Sequence, residues 1–329
     1  VSGALVVVPT LNEQEHIGAL LGQLRADPAA LRIVVADGGS TDDTRRIVAE
    51  HAAADSRVML LDNPDRIQSA GINDAVARFG DTARWLVRVD AHCLYPDDYA
   101  GGLVATAEAV GAVSVVVPMQ TRGVHCFQIA CAAAQNSVLG TGGSAHRHVG
   151  HGQFVEHGHH ALMDIAAFRG AGGYNQAMSH NEDAELDHRL GTIGRIWLEP
   201  AHAITYFPRR DMRGLWRQYR GYGKGRAQTI ALHRMRPRLR QLIPLAPPLA
   251  LLLALGSPWL PILAVPALAW ALLCLVAGIA IGARQRSRCA MLAGVAAMIM
   301  HAAWGTGFLA QWLFGRTPAA IAVRSLPQG

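Results

Sequence analysis

Acidic residues run out along this chain: after Asp211, none occurs in the remaining 118 positions. Charged residues of both signs make up only 16% of the 329, well below the roughly 25% of an ordinary soluble domain. Cysteine is scarce, with Cys93, Cys126, Cys131, Cys274 and Cys289 and no Cys-x-x-Cys pair. This excludes a small disulfide scaffold. Polar low-complexity tracts are missing while 51% of residues are hydrophobic, so the chain is not disordered. No Gly-x-Gly-x-x-Gly follows the first apolar run, Ala4–Val8, which argues against a dinucleotide-binding unit. That run is too short for a secretory signal and lacks its basic start. Residues 1–208 are therefore expected to fold in the cytoplasm, in keeping with the lack of a disulfide framework.

What charge there is falls into three zones. Residues 1–208 carry a balance of −9, residues 209–240 of +10 and residues 241–329 of +5. The basic zones do not imply a nucleic-acid partner. They flank the apolar tail, where anionic lipid headgroups would attract them. From Gln241 to Ala283 no residue is charged, a run of 43, about twice the ~20 needed to cross a bilayer once. With Gly256-Ser257-Pro258 inside it, the run predicts a hairpin of membrane helices near 241–256 and 259–282. Its Pro-rich first half is read as spanning, tilted or re-entrant. A second uncharged run, Cys289–Gly315, is long enough for one more span, giving about three in all. Basic flanks stay cytoplasmic, and two crossings would keep both 209–240 and the Arg284–Arg288 loop on that side. The expected order is a cytoplasmic domain (1–208), a basic amphipathic interface segment (209–240), a transmembrane region (241–315) and a tail (316–329). Such a chain would be multi-pass in the inner membrane, with the bilayer as a partner.

The first zone alternates apolar runs with helical patterns. Strands are predicted at Leu5–Pro9, Ile33–Ala36, Val58–Leu61, Trp85–Val89 and Val113–Val117. Helices are predicted at Asn12–Arg25, Asp42–Ala54, Ile67–Phe79 and Asp97–Ala109. This alternation predicts an α/β fold, a Rossmann-like, mostly parallel sheet flanked by helices. Ligands of such sheets bind at the carboxyl ends of the strands.

Chemistry-bearing residues cluster at those ends. Pro9-Thr10-Leu11-Asn12-Glu13 follows the first strand and Asp37-Gly38-Gly39-Ser40-Thr41 ends the second. Ser40 and Thr41 read as helix caps, while Asp37 reads equally as a cap or as an acceptor of hydrogen bonds from a base or ribose. Asp90-Ala91-His92 places a carboxylate and an imidazole on one side of an extended segment, a pair suited to Mn²⁺ or Mg²⁺. Glu182, Asp183, Glu185 and Asp187 crowd one helix start. Mutual repulsion there can raise one carboxyl's pKa, which makes one of them a candidate base. His146, His148, His151, His157, His159 and His160 match no structural zinc spacing. His157, His159 and His160 are expected to line a polar cleft. In Trp216–Arg226, cations alternate with aromatics. Arg217, Gln218 and Arg220 are assigned to the site and most of Arg234–Arg240 to membrane anchoring.

These motifs, in this order over about residues 4–230, resemble inverting family 2 glycosyltransferases with a GT-A catalytic domain. Val-Val-Pro-Thr-Leu-Asn-Glu and Val-Ala-Asp-Gly-Gly-Ser-Thr-Asp-Asp-Thr (35–44) carry the resemblance. It implies that Asp37 contacts the nucleoside, that Asp90 and His92 take the metal- and diphosphate-holding place, and that Asp183 is the catalytic base. Donor contacts then fall to Pro9, Thr10, Asn12, Glu13, Asp37, Gly39, Asp90 and Ala91. Acceptor or diphosphate contacts fall to His157, His159, His160, Glu182, Arg217, Gln218, Arg220 and Lys224. Arg217-Gln-Tyr-Arg220 resembles the Q-x-x-R-W element but has Arg for Gln and Gly221 for Trp. Val-Asp-Ala-His-Cys, Glu-His-Gly-His-His-Ala and Tyr-Gly-Lys-Gly-Arg are similar to the ExoA type of succinoglycan-biosynthesis transferase. That similarity implies glucose transfer from UDP-glucose to a polyprenyl-diphosphate-linked saccharide, forming a β-1,3 bond. A polyprenyl-phosphate glycosyltransferase and a non-catalytic nucleotide-sugar sensor or scaffold remain the alternatives.

Overall fold

The computed structural model describes residues 3–142, 150–237 and 239–323. The chain begins with β1 (Ala4–Thr10), α1 (Ile17–Ala26), β2 (Ala30–Asp37), α2 (Thr44–Ala54), β3 (Val58–Asp62), α3 (Gln68–Phe79) and β4 (Trp85–Arg88). Then come β5 (Cys93–Leu94), α4 (Tyr99–Val110), β6 (Ser114–Val117), β7 (Met119–Thr121), α5 (Cys126–Gln135) and α6 (Val138–Thr141). They are followed by β8 (Gln153–Val155), β9 (His159–Asp164), α7 (Ile165–Gly170), α8 (Glu182–Leu190), β10 (Ile196–Leu198), β11 (Ile204–Tyr206) and α9 (Met212–Leu232). The tail forms α10 (Leu239–Leu242), α11 (Ala246–Ala254), α12 (Val265–Arg284), α13 (Arg288–Met291) and α14 (Ala293–Phe314).

Eight strands form the main sheet in the order β3-β2-β1-β4-β9-β6-β10-β8. Most are parallel. β9 runs antiparallel between β4 and β6, and β8 antiparallel to β10. In β1, Ala4, Val6 and Val8 enter one core with α1, α2 and α4, while Leu5 and Val7 enter the other with α3, α7 and α8. That is the period-2 division of a strand covered on both faces. β5, β11 and β7 make a small second sheet.

α1 starts at Ile17 rather than Asn12. The backbone amides of Asn12, Glu13 and Gln14 are bound instead by Ser40 Oγ, Thr44 Oγ1 and Asp42 Oδ2 of the loop after β2. Asn12 has φ +57°, in the left-handed region, so a right-handed helix cannot start there. Ser40 and Thr41 do not cap α2. Asp42 accepts from the Thr44 amide at 3.0 Å in that place.

Two readings of the tail change. Among the described residues, only Pro261–Arg284 and Arg288–Phe314 are helices long and apolar enough to cross a membrane. The expected span over 241–256 is an apolar helix of 12 residues, Ile243–Ala254, about 18 Å at ~1.5 Å per residue, because Pro244, Pro247 and Pro248 fall at its start. Cysteine spacing also concealed a bridge, so the expected lack of disulfides no longer argues for the cytoplasm. Cys126 on α5 and Cys289 on α13 are disulfide-bonded across 163 residues, brought together where α14 packs on α5.

Candidate active site

β4 carries the centre of the site. Arg88 is the last residue of this apolar strand and is 5% exposed. Its Nη1 donates to Asp183 Oδ1 on α8 and, at 3.3 Å, to the Tyr174 hydroxyl. Its Nε stands 3.5 Å from Asp90 Oδ1 without making a hydrogen bond. Asp90 Oδ1 instead accepts from Gln68 Nε2 at 2.8 Å. One buried cation thus holds Asp90 and Asp183 together, although 93 positions separate them in the sequence.

Because β9 runs against its neighbours, its first residues, His159 and His160, lie at the carboxyl ends of β4 and β6. His159 Nε2 stands 3.8 Å from Asp90 Oδ2, too far for a hydrogen bond. Burial lowers its pKa to about 4, so the ring is neutral. His160 is fully buried. It bonds the Tyr174 hydroxyl at 2.6 Å and Asp187 Oδ1 at 2.7 Å, and lies 3.7 Å from Asp183 Oδ1. His160 therefore supports Asp183 from behind and cannot line an acceptor cleft, because its strand turns it inward. His157 is half-buried on the preceding loop. His146 and His148 lie outside the described residues.

The charges sort themselves by these neighbours. Burial alone would push Asp183 up, but Arg88, then His160 and His159, hold it below the usual carboxylate range. Asp90 behaves likewise, with Arg88 again the main opposing charge. Glu182, next to Asp183, has the opposite fate: burial and then the Asp183 charge raise it to about 7. A raised carboxyl stabilises the fold below its unfolded value of 4.5, and that contribution is lost as pH rises through about 7. Replacing Glu182 by Gln should therefore flatten the pH dependence of the thermal unfolding midpoint over this window. An unchanged slope would show that another group titrates there.

On the other side of β1, Asp37 is 1% exposed. Its oxygens accept from the Gly39 and Ser40 amides at 3.1 and 3.0 Å, from Ser40 Oγ, and from Arg45 Nη1 at 2.8 Å. The carboxylate fixes its own turn, in which Gly39 has φ +83°, a conformation that favours glycine. Asn12 Oδ1 accepts from the Thr41 amide at 2.8 Å, which locks the β1 and β2 loops together. Glu13 Oε1 bonds His92 Nδ1 at 3.0 Å, tying the β1 loop to the Asp90 loop. Asp37 thus joins the site through loop contacts, whereas Asp90 and Asp183 meet through Arg88. Pro9 is half-buried and Ala91 buried. Thr10 Oγ1 is buried without a hydrogen-bond partner among the described residues, a polar atom left for a ligand.

The donor chemistry at Asp90 fits a divalent cation. Asp90 Oδ2 faces a neutral imidazole nitrogen across 3.8 Å. The Glu13 carboxylate on His92 Nδ1 leaves His92 Nε2 as its ligating atom, the usual support for a metal-bound histidine. No group of three or more ligands is assembled among the described residues. Such a partial set suits an ion whose other positions are filled by diphosphate oxygens and water.

The basic helix is rotated from expectation. On α9, Gln218 is buried and donates to the Tyr206 and Tyr222 hydroxyls, both at 2.9 Å. Gly221 and Gly225 face His180. Arg217, about 100° away around the helix, points instead to a groove with Met212, Arg213, Trp216 and Ile299. Arg220 is exposed with its backbone against Gly307. Lys224 is exposed, and its charge with that of Arg209 adds to burial in lowering His180. Arg209 also acts on His92. Arg209, which the sequence placed only within the basic segment 209–240, thus acts by its charge on both His92 and His180. Arg88 and Tyr174 were missed too. The signal for Arg88 was a lone charge ending an apolar strand.

A family model described as glycosyl transferase family 2 matches residues 5–168. The succinoglycan biosynthesis protein ExoA of Rhizobium meliloti (strain 1021) is 51% identical over 313 residues, spanning 93% of this chain and 94% of that protein. Among solved structures, the mannosyltransferase PcManGT of Pyrobaculum calidifontis, in complex with GDP-Man and Mn²⁺, is similar with a TM-score of 0.59. Its identity is 17%, over 95% of this chain and 87% of that one. TarS 1-349 of S. aureus, in complex with UDP-GlcNAc, has a TM-score of 0.51 at 14% identity, over 94% and 91% of the two chains. Both structural likenesses are of fold.

Proposed function

Since the chain belongs to glycosyl transferase family 2 and is a glycosyltransferase of GT-A fold, we propose that it acts in succinoglycan assembly. It moves glucose from UDP-glucose onto a polyprenyl-diphosphate-linked saccharide, with inversion and a β-1,3 bond. It works at the inner membrane with the catalytic domain in the cytoplasm. The observation that carries this reading is the Arg88 clasp, which sets Asp90 and Asp183 on either side of one buried cation.

Asp183 is the general base. It stays ionised at neutral pH. Its contacts to Arg88 and His160 both run through Oδ1, so Oδ2 is placed to take the proton of an acceptor hydroxyl. The hydroxyl oxygen forms the new bond to the anomeric carbon as the bond to the diphosphate breaks. Asp90, with His92 on the same loop, would hold Mn²⁺ or Mg²⁺, which would supply charge neutralisation for the departing diphosphate, with His159 facing Asp90 Oδ2 beside it. Arg209 and Lys224 add positive charge at the same mouth. The loops at Pro9–Glu13 and Asp37–Gly39 receive the nucleotide.

The test uses membranes containing the full chain, radiolabelled UDP-glucose and extracted lipid-linked saccharides, with and without Mn²⁺. Label should move onto the diphosphate-linked lipid only when the ion is present. Label on bare polyprenyl phosphate, or no transfer from any nucleotide sugar, would overturn the assignment.

A further inference from the structure

Hydropathy makes α14 a membrane span, but its contacts place it elsewhere. Its leading end is fixed to the catalytic domain, since Cys289, four residues before it, is disulfide-bonded to Cys126 of α5. α5 is itself held there: Gln128 Nε2 donates to the Pro208 carbonyl at 2.9 Å, and Asn136 pairs with Thr121 of β7. The middle of α14 is fixed too, with His301 Nε2 bonding the Leu139 carbonyl at 2.7 Å. Beyond its far end the chain returns to the same domain. Asn175 Nδ2 donates to the Ala319 carbonyl at 3.1 Å, and Ile321 lies against Gly172. Asn175 adjoins Tyr174, a neighbour of Arg88.

A helix of 22 residues is about 33 Å long, close to the ~30 Å thickness of the hydrocarbon layer. Were α14 to cross it, Cys289 and Ala319 would lie on opposite faces, yet both touch one water-soluble domain. The neighbouring helix excludes the same arrangement. α9 packs against α14 at Leu215, Tyr219, Gly223 and Ile230. It carries Arg213, Arg217, Arg220 and Lys224, all exposed. Cations at mid-bilayer are costly and rare unless they face protein or a water-filled cavity. α9 is also tied to the catalytic helix, by Asn181 Nδ2 to Thr229 Oγ1 at 3.0 Å and His233 Nε2 to Glu185 Oε1 at 2.9 Å.

We infer that the described chain is monotopic: α14 lies along the catalytic domain, and only the α11–α12 hairpin enters the bilayer, from the catalytic side. The hairpin has the surface for it. Trp259 is 85% and Leu273 70% exposed, and there is no charged residue between Gln241 and Ala283. Its first arm, about 18 Å long, cannot reach the far side. The second half of α12 shares the seat of α14, with Gly278 against Gly294 and Gly282 against Met291, so the part of the hairpin that projects beyond α14 occupies roughly one leaflet and the Arg284–Arg288 loop stays on the catalytic side.

The inference rests on the membrane location proposed above, and sidedness tests it. Single cysteines are introduced by Glu50→Cys on α2, Gln285→Cys before α13, Thr317→Cys after α14 (Arg316→Cys if that variant is unstable) and Ser257→Cys at the hairpin tip. The full chain is expressed in a Gram-negative host, and spheroplasts are treated with a membrane-impermeant maleimide, with the unsubstituted chain as background. None should label in intact spheroplasts. After permeabilisation the Glu50, Gln285 and Thr317 variants should label together, and the Ser257 variant only in detergent. Labelling of the Gln285 and Thr317 variants from opposite sides would show that α14 crosses. Labelling of the Ser257 variant in intact spheroplasts would show that the hairpin spans. Either result overturns the inference and leaves the transferase reading intact. Recovery of the chain in the soluble fraction would defeat the membrane location itself.

Discussion

Asp183→Asn is expected to lower sugar transfer by a factor of about 10²–10⁴, the usual contribution of a positioned general base, while nucleotide-sugar binding stays near that of the unsubstituted chain. The amide keeps the shape of the carboxylate, and its carbonyl still accepts from Arg88 Nη1, so the clasp survives. What is lost is the ability to take a proton. The donor loops are untouched, because Asp37, Asn12 and Glu13 make their contacts with Ser40, Thr41, Arg45 and His92. Radiolabel transfer to the lipid acceptor and calorimetric binding of the nucleotide sugar separate the two quantities. A variant retaining transfer within about tenfold would assign the base to another residue.

Arg88→Met should damage both stability and activity. It leaves the half-buried Asp90 and Asp183 carboxylates without the buried cation they share. Breaking a buried ion pair by removing one partner costs about 3–5 kcal/mol. Part of that cost can be avoided by protonating a carboxyl, so Asp183 should rise toward neutrality and stop serving as a base below that value. Arg88→Lys keeps the charge but not the fork that spans the two acids, and should lie between the two. Thermal unfolding in detergent, together with the pH profile of transfer, reads both effects. A methionine variant within about 1 kcal/mol of the parent would mean that the acids do not depend on Arg88.

The parallel strands were legible because β-branched runs buried on both faces leave a continuous apolar signature, as in Leu5–Val8 and Ile33–Ala36. β9 was not, since His159 and His160 open it and conceal the apolar Ala161-Leu162-Met163 that follows. Missing that strand meant missing that it runs backwards, which is what brings its histidines to the ligand end of the sheet. Asp90 was identifiable from its place after a strand. The tie from Arg88 to Asp183 was not, because an ion pair across 95 positions leaves no local pattern. Arg217 and Gln218 show the limit of reading one helix alone. Adjacent residues differ by about 100° in direction, and only the packing on α14 fixes which of them turns inward. The tail was legible only in part for a related reason: hydropathy responds equally to lipid and to a protein neighbour, and α14 is half-sheltered by protein.

The close seating of α9 on α14 has one more consequence. Gly223 lies against the Trp304 carbonyl and Gly307 against the backbone of Arg220, where even a methyl group would collide. Backbones that mesh this tightly cannot slide past one another by a turn. The tail is thereby held at one fixed setting against the helix start that carries Asp183, through Asn181 and Thr229, like the throat depth of a clamp.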